Sequence, residues 1–120
     1  MLIRVTKVLF ILSFLSIEIS AQVLPAAEQP EEYIDLLKDQ NIALVANQTS
    51  RIGDEHLVDY LLKKGIEIEI IFAPEHGFRG DHGAGEKIHD DKDPITGIPL
   101  ISLYGSNKKP KAQNLANIDL

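Results

Sequence analysis

The sequence predicts an α/β fold in which a parallel sheet is flanked by helices, and three observations predict it. Residues Ile66 to Phe72 (IEIEIIF) alternate apolar and acidic before turning wholly apolar, as a strand entering a core does. Before them, Leu57, Val58, Leu61 and Leu62 fall on one face at helical spacing. Earlier still, Ile42 to Ala46 (IALVA) is a short apolar run that reads as a buried strand. Strand, helix and strand joined by short links form a βαβ unit, which is parallel and right-handed.

The elements follow in order. Arg4 and Lys7 precede an apolar run, Val8 to Ile17, and Ile19-Ser20-Ala21 ends in a small residue, so Met1 to Ala21 reads as a cleaved export signal. The run is shorter than the roughly 20 residues a stable membrane anchor needs. Residues 22–29 are small and polar, a linker. Pro30 opens a predicted helix to Lys38, with Glu31 and Glu32 near its positive end and Ile34, Leu36 and Leu37 as its apolar side. Asn47 to Gly53 (NQTSRIG) is a polar turn. A second helix is expected over Asp54 to Lys64, stopped by Gly65 in a left-handed conformation. Pro74 ends the strand that follows, because it has no N–H for the ladder. Asp90 to Gly97 reads as a turn-rich connector and Ile98 to Leu103 (IPLISL) as a third strand. Ala112 to Ala116 is a single helical turn, and Asn117 to Leu120 looks like the lead-in to another strand.

Composition narrows the function. With 120 residues, 44% hydrophobic, the chain holds one small domain, expected over residues 30–120. Removing Arg4, Lys7 and Glu18 with the leader takes the formal net charge from −6 to −7. Such a chain lacks the basic stripe that nucleic-acid binding requires. It has no cysteine, which excludes disulfides, thiolate metal sites, a cysteine nucleophile and lipidation at a cysteine.

The chemistry concentrates in Phe72 to Lys87 (FAPEHGFRGDHGAGEK), which carries three carboxylates, two histidines, an arginine and four glycines beyond a strand. Ligands of open α/β sheets bind beyond the carboxyl ends of the strands. Glu75, just past Pro74, can act as a general acid if the apolar neighbours Phe72 and Phe78 raise its pKa; equally, it can cap a turn or pair with Arg79. His76, His82 and His89 with Asp81, Asp90 and Asp91 offer metal-ligand chemistry, but at no helical zinc spacing. Gly77, Gly80, Gly83 and Gly85 fit no phosphate-loop spacing and read as a loop needing positive φ. In a parallel sheet Asn47, Glu75 and Tyr104 leave three strands at one edge. Arg51 and Arg79 are either anion ligands or solvated charges.

Taken together, LVANQTSR (Leu44 to Arg51), HLVDYLLKKG (His56 to Gly65), FAPEHGFRGDHGAGEK and GIPLISLYG (Gly97 to Gly105) closely resemble the NamZ-type exo-β-N-acetylmuramidases, exported bacterial glycoside hydrolases. The resemblance spans about Glu32 to Leu120. It implies a Rossmann-like N-terminal domain, a smaller C-terminal domain with the active site between them, and release of terminal N-acetylmuramic acid from the non-reducing end of peptidoglycan fragments. It puts Glu75 at the position of the catalytic glutamate and Tyr104 at that of an assisting tyrosine. It matches Asn47, His76, Arg79 and Glu86 to pocket-lining positions, and it implies no metal and no other cofactor. The lactyl carboxylate of the substrate calls for a cation, Arg79 or Arg51. Family members run to several hundred residues, so the resemblance implies a fragment ending after about three strands of the first domain, with an apolar strand edge unpaired and little activity alone. Two other functions stay open: a non-catalytic module that binds peptidoglycan or another acidic glycan, and a metal-dependent hydrolase using the His/Asp loop.

Overall fold

The computed structural model describes residues 23–74, 77–80 and 90–120. The expected export signal therefore lies outside the described residues, as do Glu75, His76, Asp81, His82, Glu86 and His89. Among the described residues no helix is long and apolar enough to cross a membrane.

A four-stranded sheet forms the frame. Its strands are β1 (Ile42–Val45), β4 (Ile68–Ala73), β6 (Pro99–Ser102) and β5 (Asp91–Lys92), in that spatial order. β1 and β6 both run parallel to the central β4, and β5 pairs antiparallel with β6. The register aligns Val45 with Phe72 and Phe72 with Ile101, so all three parallel strands end at one level. Two main-chain bonds carry the alignment past the strands, from Ala46 N–H to Phe72 O (3.1 Å) and from Leu103 N–H to Ala73 O (2.8 Å).

The core lies between this sheet and helix α2 (Leu57–Lys63). Val58 and Leu61 of the helix pack with Ile42, Ala46, Ile71, Ala73 and Phe78. That is the 3.6-residue face read from the sequence meeting the inward side of the strands. Gly65 stops the helix at φ +78, where a Cβ would be strained, and the Ile66 amide bonds back to Leu61 O at 3.1 Å.

Four expectations are corrected. The second helix begins at Leu57 rather than Asp54, because Glu55 and His56 form a strand (β3, Glu55–His56) against β2 (Arg51–Ile52). The NQTSRIG turn thus runs into a small hairpin. The first helix is one 3-10 turn, Pro30–Glu32, and one α turn, α1 (Ile34–Leu37), and a further 3-10 turn, Ala26–Glu28, lies in the segment expected as linker. Tyr33 reaches back to Ala27 O at 2.8 Å and Asp39 turns the chain at φ +58, so too few residues remain to propagate a helix. Tyr33, Ile34 and Leu37 touch the core, whereas Leu36 is 70% exposed. The connector after the glycine loop supplies β5, because Asp91 and Lys92 find the free edge of β6. Finally, the outer edge of β1 is occupied rather than bare. The Ala43 amide donates to Leu120 O (3.0 Å) and the Asp119 amide to Asn41 O (2.9 Å).

Candidate functional site

These end residues make β1 a branch point. β4 lies on one side of it and Asp119-Leu120 on the other, so the chain passes through β4 and β6 and then returns to the far side of β1. In open α/β sheets the crevice that binds ligand forms at such a point, off the carboxyl ends. Asn47 and Tyr104 both emerge at the carboxyl edge, on strands that β4 separates: Asn47 two residues beyond Val45 of β1, Tyr104 two beyond Ser102 of β6. In sequence Glu75 follows Ala73 of β4 by two residues, and its own position lies outside the described residues.

Asn47 is held in a tight local turn. Its Oδ1 accepts from the Thr49 amide (3.0 Å) and hydroxyl (2.7 Å), and its own amide donates to Ser50 Oγ (3.1 Å). Its carbonyl accepts from the Ser50 amide (3.0 Å) and makes a 2.9 Å bond with His56 Nε2. Tyr104 is half-buried, its amide on Ser102 Oγ at 3.3 Å; its hydroxyl makes no hydrogen bond to a described residue. The neighbouring turn is closed by Asn107 Nδ2 on Ser102 O (2.8 Å).

Arg79 is not a free cation. Its guanidinium bonds Asp59 on α2 through Nη1 and Nη2 (3.0 and 2.9 Å), and Asp93 through Nε and Nη2 (2.8 and 3.0 Å). It also stacks on Phe78, 4.7 Å from the ring centroid. The bidentate fork is the geometry that suits arginine to carboxylates. Asp93 is 1% exposed and takes two more bonds, from the Thr96 amide (3.0 Å) and hydroxyl (2.7 Å). Burial by itself raises the Asp93 pKa, but the bonds from Arg79 and Thr96 outweigh it and hold the group at about 2. The Arg79 hydrogen bond likewise lowers Asp59, and the two carboxylates raise Arg79. The expected anion ligand is therefore a tie between helix, loop and the turn after β5. Arg51, exposed and bonded to the Asp54 carbonyl, is the freer of the two arginines.

The loop is shaped by its glycines, as read from the sequence. Gly77 and Gly80 sit at φ +75 and +78. At Gly80 a Cβ would also lie 3.0 Å from Gln48 Cβ, so the loop packs directly on the chain leaving β1. The positions of Gly83 and Gly85 lie outside the described residues. Past residue 89, Asp90 accepts from the Ser102 amide at 3.0 Å.

Sequence reasoning missed three residues. His56 is 7% exposed and meets Phe78 edge to face at 4.6 Å. Asp59 lies within the predicted second helix and Asp93 within the turn-rich connector, and neither stood out as a functional residue. A signal for Asp93 existed in Asp93-Pro94-Ile95-Thr96-Gly97, since an Asp before Pro opens a turn by accepting from the residue three on. Among the described residues no group of three or more His, Asp or Glu is placed to hold a metal, and His76, His82, His89 and Asp81 are not among them.

Comparison with known proteins bears on this edge. The family described as exo-beta-N-acetylmuramidase NamZ, N-terminal, matches residues 42–120. The chain is 37% identical over 91 residues to the peptidoglycan beta-N-acetylmuramidase NamZ of Bacillus subtilis (strain 168), covering 74% of this chain and 22% of that protein. Two crystal structures of DUF1343 family proteins from Bacteroides fragilis NCTC 9343 superpose with TM-scores of 0.66 and 0.62 at 35% and 31% identity. They cover 82% and 74% of this chain, and 24% and 22% of their own. The chain thus spans about a quarter or less of the length of these relatives.

Proposed function

The chain belongs to the NamZ exo-β-N-acetylmuramidase family through its N-terminal domain, and from that premise we propose that it is the part of an exported glycosidase that supplies the acid/base. The substrate is a peptidoglycan fragment with a terminal N-acetylmuramic acid, and the location is the periplasm or the cell exterior. The observation that carries the reading is the common carboxyl edge of β1, β4 and β6, where Asn47 and Tyr104 emerge and toward which β4 leads the Pro74-Glu75 segment.

Glycoside cleavage needs an acid to protonate the leaving oxygen and a second group to support the oxocarbenium-like centre or activate water. Glu75 takes the first role. Tyr104 is the assisting group, and His76 and Glu86 line the sugar pocket with Asn47. Arg79 serves by tying the loop to the helix, which leaves Arg51 as the cation for the lactyl carboxylate.

In a full-length protein carrying this chain as its N-terminal part, Glu75→Gln removes the acid and keeps the size. It is expected to lower hydrolysis of a β-1,4-linked N-acetylmuramyl-N-acetylglucosamine disaccharide, whose sugar leaving group needs that proton, by about a thousandfold, within the range general acid–base catalysis contributes. Equal release of N-acetylmuramic acid by the two proteins would remove Glu75 from the mechanism. Saturable sugar binding with no turnover by the unsubstituted full-length protein would favour a glycan-binding module instead.

A further inference from the structure

We infer that the Asn47 side chain meets its ligand only as a hydrogen-bond donor, and that His56 is the positioning residue that holds it there. The assignment rests on the reading of this edge as a glycan site.

Orientation comes first. The Thr49 amide can only donate, so the atom it faces at 3.0 Å must be the Asn47 oxygen. The Thr49 hydroxyl, at 2.7 Å, adds a second bond to the same atom. Nδ2 therefore carries two N–H groups on the opposite side, and neither has a partner among the described residues. Asn47 is half-buried, so those donors stand beside the strand end in a defined direction. A ligand oxygen can fill this position; a ligand N–H cannot. The acceptors that a muramic acid glycoside offers include its acetamido carbonyl, its hydroxyl oxygens and its lactyl carboxylate.

His56 fixes the turn by the same logic. The Val58 amide donates to Nδ1 at 3.3 Å, which makes Nδ1 the acceptor and puts the ring proton of the neutral imidazole on Nε2. Nε2–H then donates to Asn47 O at 2.9 Å, filling the carbonyl that the Ser50 amide already bonds. Both ring nitrogens are engaged and the ring packs on Phe78, so His56 is not available as a base. It couples the first turn of α2 to the strand-end turn of β1. No motif in the sequence pointed to that link.

The test uses the full chain, labelled with 15N, and titrates it with N-acetylmuramic acid and separately with N-acetylglucosamine. Asn47→Asp keeps an oxygen for Thr49 but replaces the donor by an acceptor. Its melting temperature should stay within about 3 °C of the parent, as for a substitution that removes no packing. Affinity should fall about ten- to a hundredfold, and the Asn47 side-chain amide of the parent should shift on titration. A loss with both sugars assigns an oxygen the two share, acetamido carbonyl or hydroxyl, and, because N-acetylglucosamine is neutral, excludes simple charge repulsion. A loss confined to N-acetylmuramic acid assigns the carboxylate if the uncharged Asn47→Ala shares it, and overturns the assignment as charge repulsion if Asn47→Ala binds like the parent.

For the positioning role, His56→Phe should weaken binding while His56→Gln, which restores a donor to Asn47 O, recovers most of it. The parent ring should show a protonated Nε2 and an unprotonated Nδ1 by 15N shift. Undiminished affinity in Asn47→Asp, or a static Asn47 amide while other residues of the edge respond, overturns the assignment alone. If no resonance of the chain responds to either sugar, the glycan reading of the edge falls and takes this assignment with it.

Discussion

Arg79→Met is expected to destabilise the fold by about 3–5 kcal/mol at neutral pH, the cost of stripping one partner from a buried ion pair. Asp93, 1% exposed, would keep only its Thr96 bonds, and Asp59 would lose both of its bonds to the guanidinium. Since whole domains are stable by only about 5–15 kcal/mol, the loss should be plain in a urea melt. The effect also has a sign in pH. Asp93 is held at about 2 against an ordinary 3.8, so its ion pair stabilises fully above about pH 4, and the contribution is lost as pH falls from there toward 2. In the variant only the Thr96 bonds oppose burial, so the Asp93 pKa rises above its parent value and acidification costs the variant less than the parent. The stability gap between parent and variant should therefore narrow between pH 7 and pH 3. A gap that is constant or widens on acidification would show that the tie does not rest on the Asp93 charge.

Ile71→Ala should cost about 3–4 kcal/mol, the usual toll for emptying a fully buried aliphatic site. Ile71 is 0% exposed at the centre of β4, paired with Leu44 on one side and Leu100 on the other. The rigid neighbours on both sides leave little room for collapse, which places the expectation toward the upper part of the range for such truncations. Val45→Ala, at an exposed side chain one residue further along β1, should change stability by no more than about 0.5 kcal/mol. Comparable losses in the two variants would mean that the core is not where the sheet and α2 meet. β4 leads directly to Pro74 and Glu75, so the same cavity should loosen the edge that the proposed chemistry uses.

Much of this fold was legible because its signals are local. The alternation in Ile66 to Phe72, the apolar face of Leu57 to Leu62 and the glycine stop at Gly65 each depend on residues a few places apart. The parallel pairing followed, since a strand, a helix and a strand with short links have essentially one way to pack. Element ends were less legible. Helical spacing alone could not show that Glu55 and His56 would pair with Arg51 and Ile52 before the helix began. Nor could the turn-rich composition of Asp90 to Gly97 show that Asp91 and Lys92 would complete the edge of β6.

For the site, the sequence marked the strand ends and the glycine loop, and the match to the muramidase family covers that same stretch. It could not tell a ligand-binding arginine from a structural one, because Asp59 and Asp93 lie 20 and 14 residues from Arg79 and meet it only in space. What the sequence by itself determined is the set of elements and the residue types at their ends, since backbone geometry and hydrophobic periodicity act over a few residues. What only the tertiary structure decided is which polar groups satisfy one another: Arg79 with its two carboxylates, His56 with the Asn47 carbonyl, Leu120 with Ala43. Those choices follow from burial, which makes an unpaired polar group costly and so forces pairings between residues that chain order keeps apart.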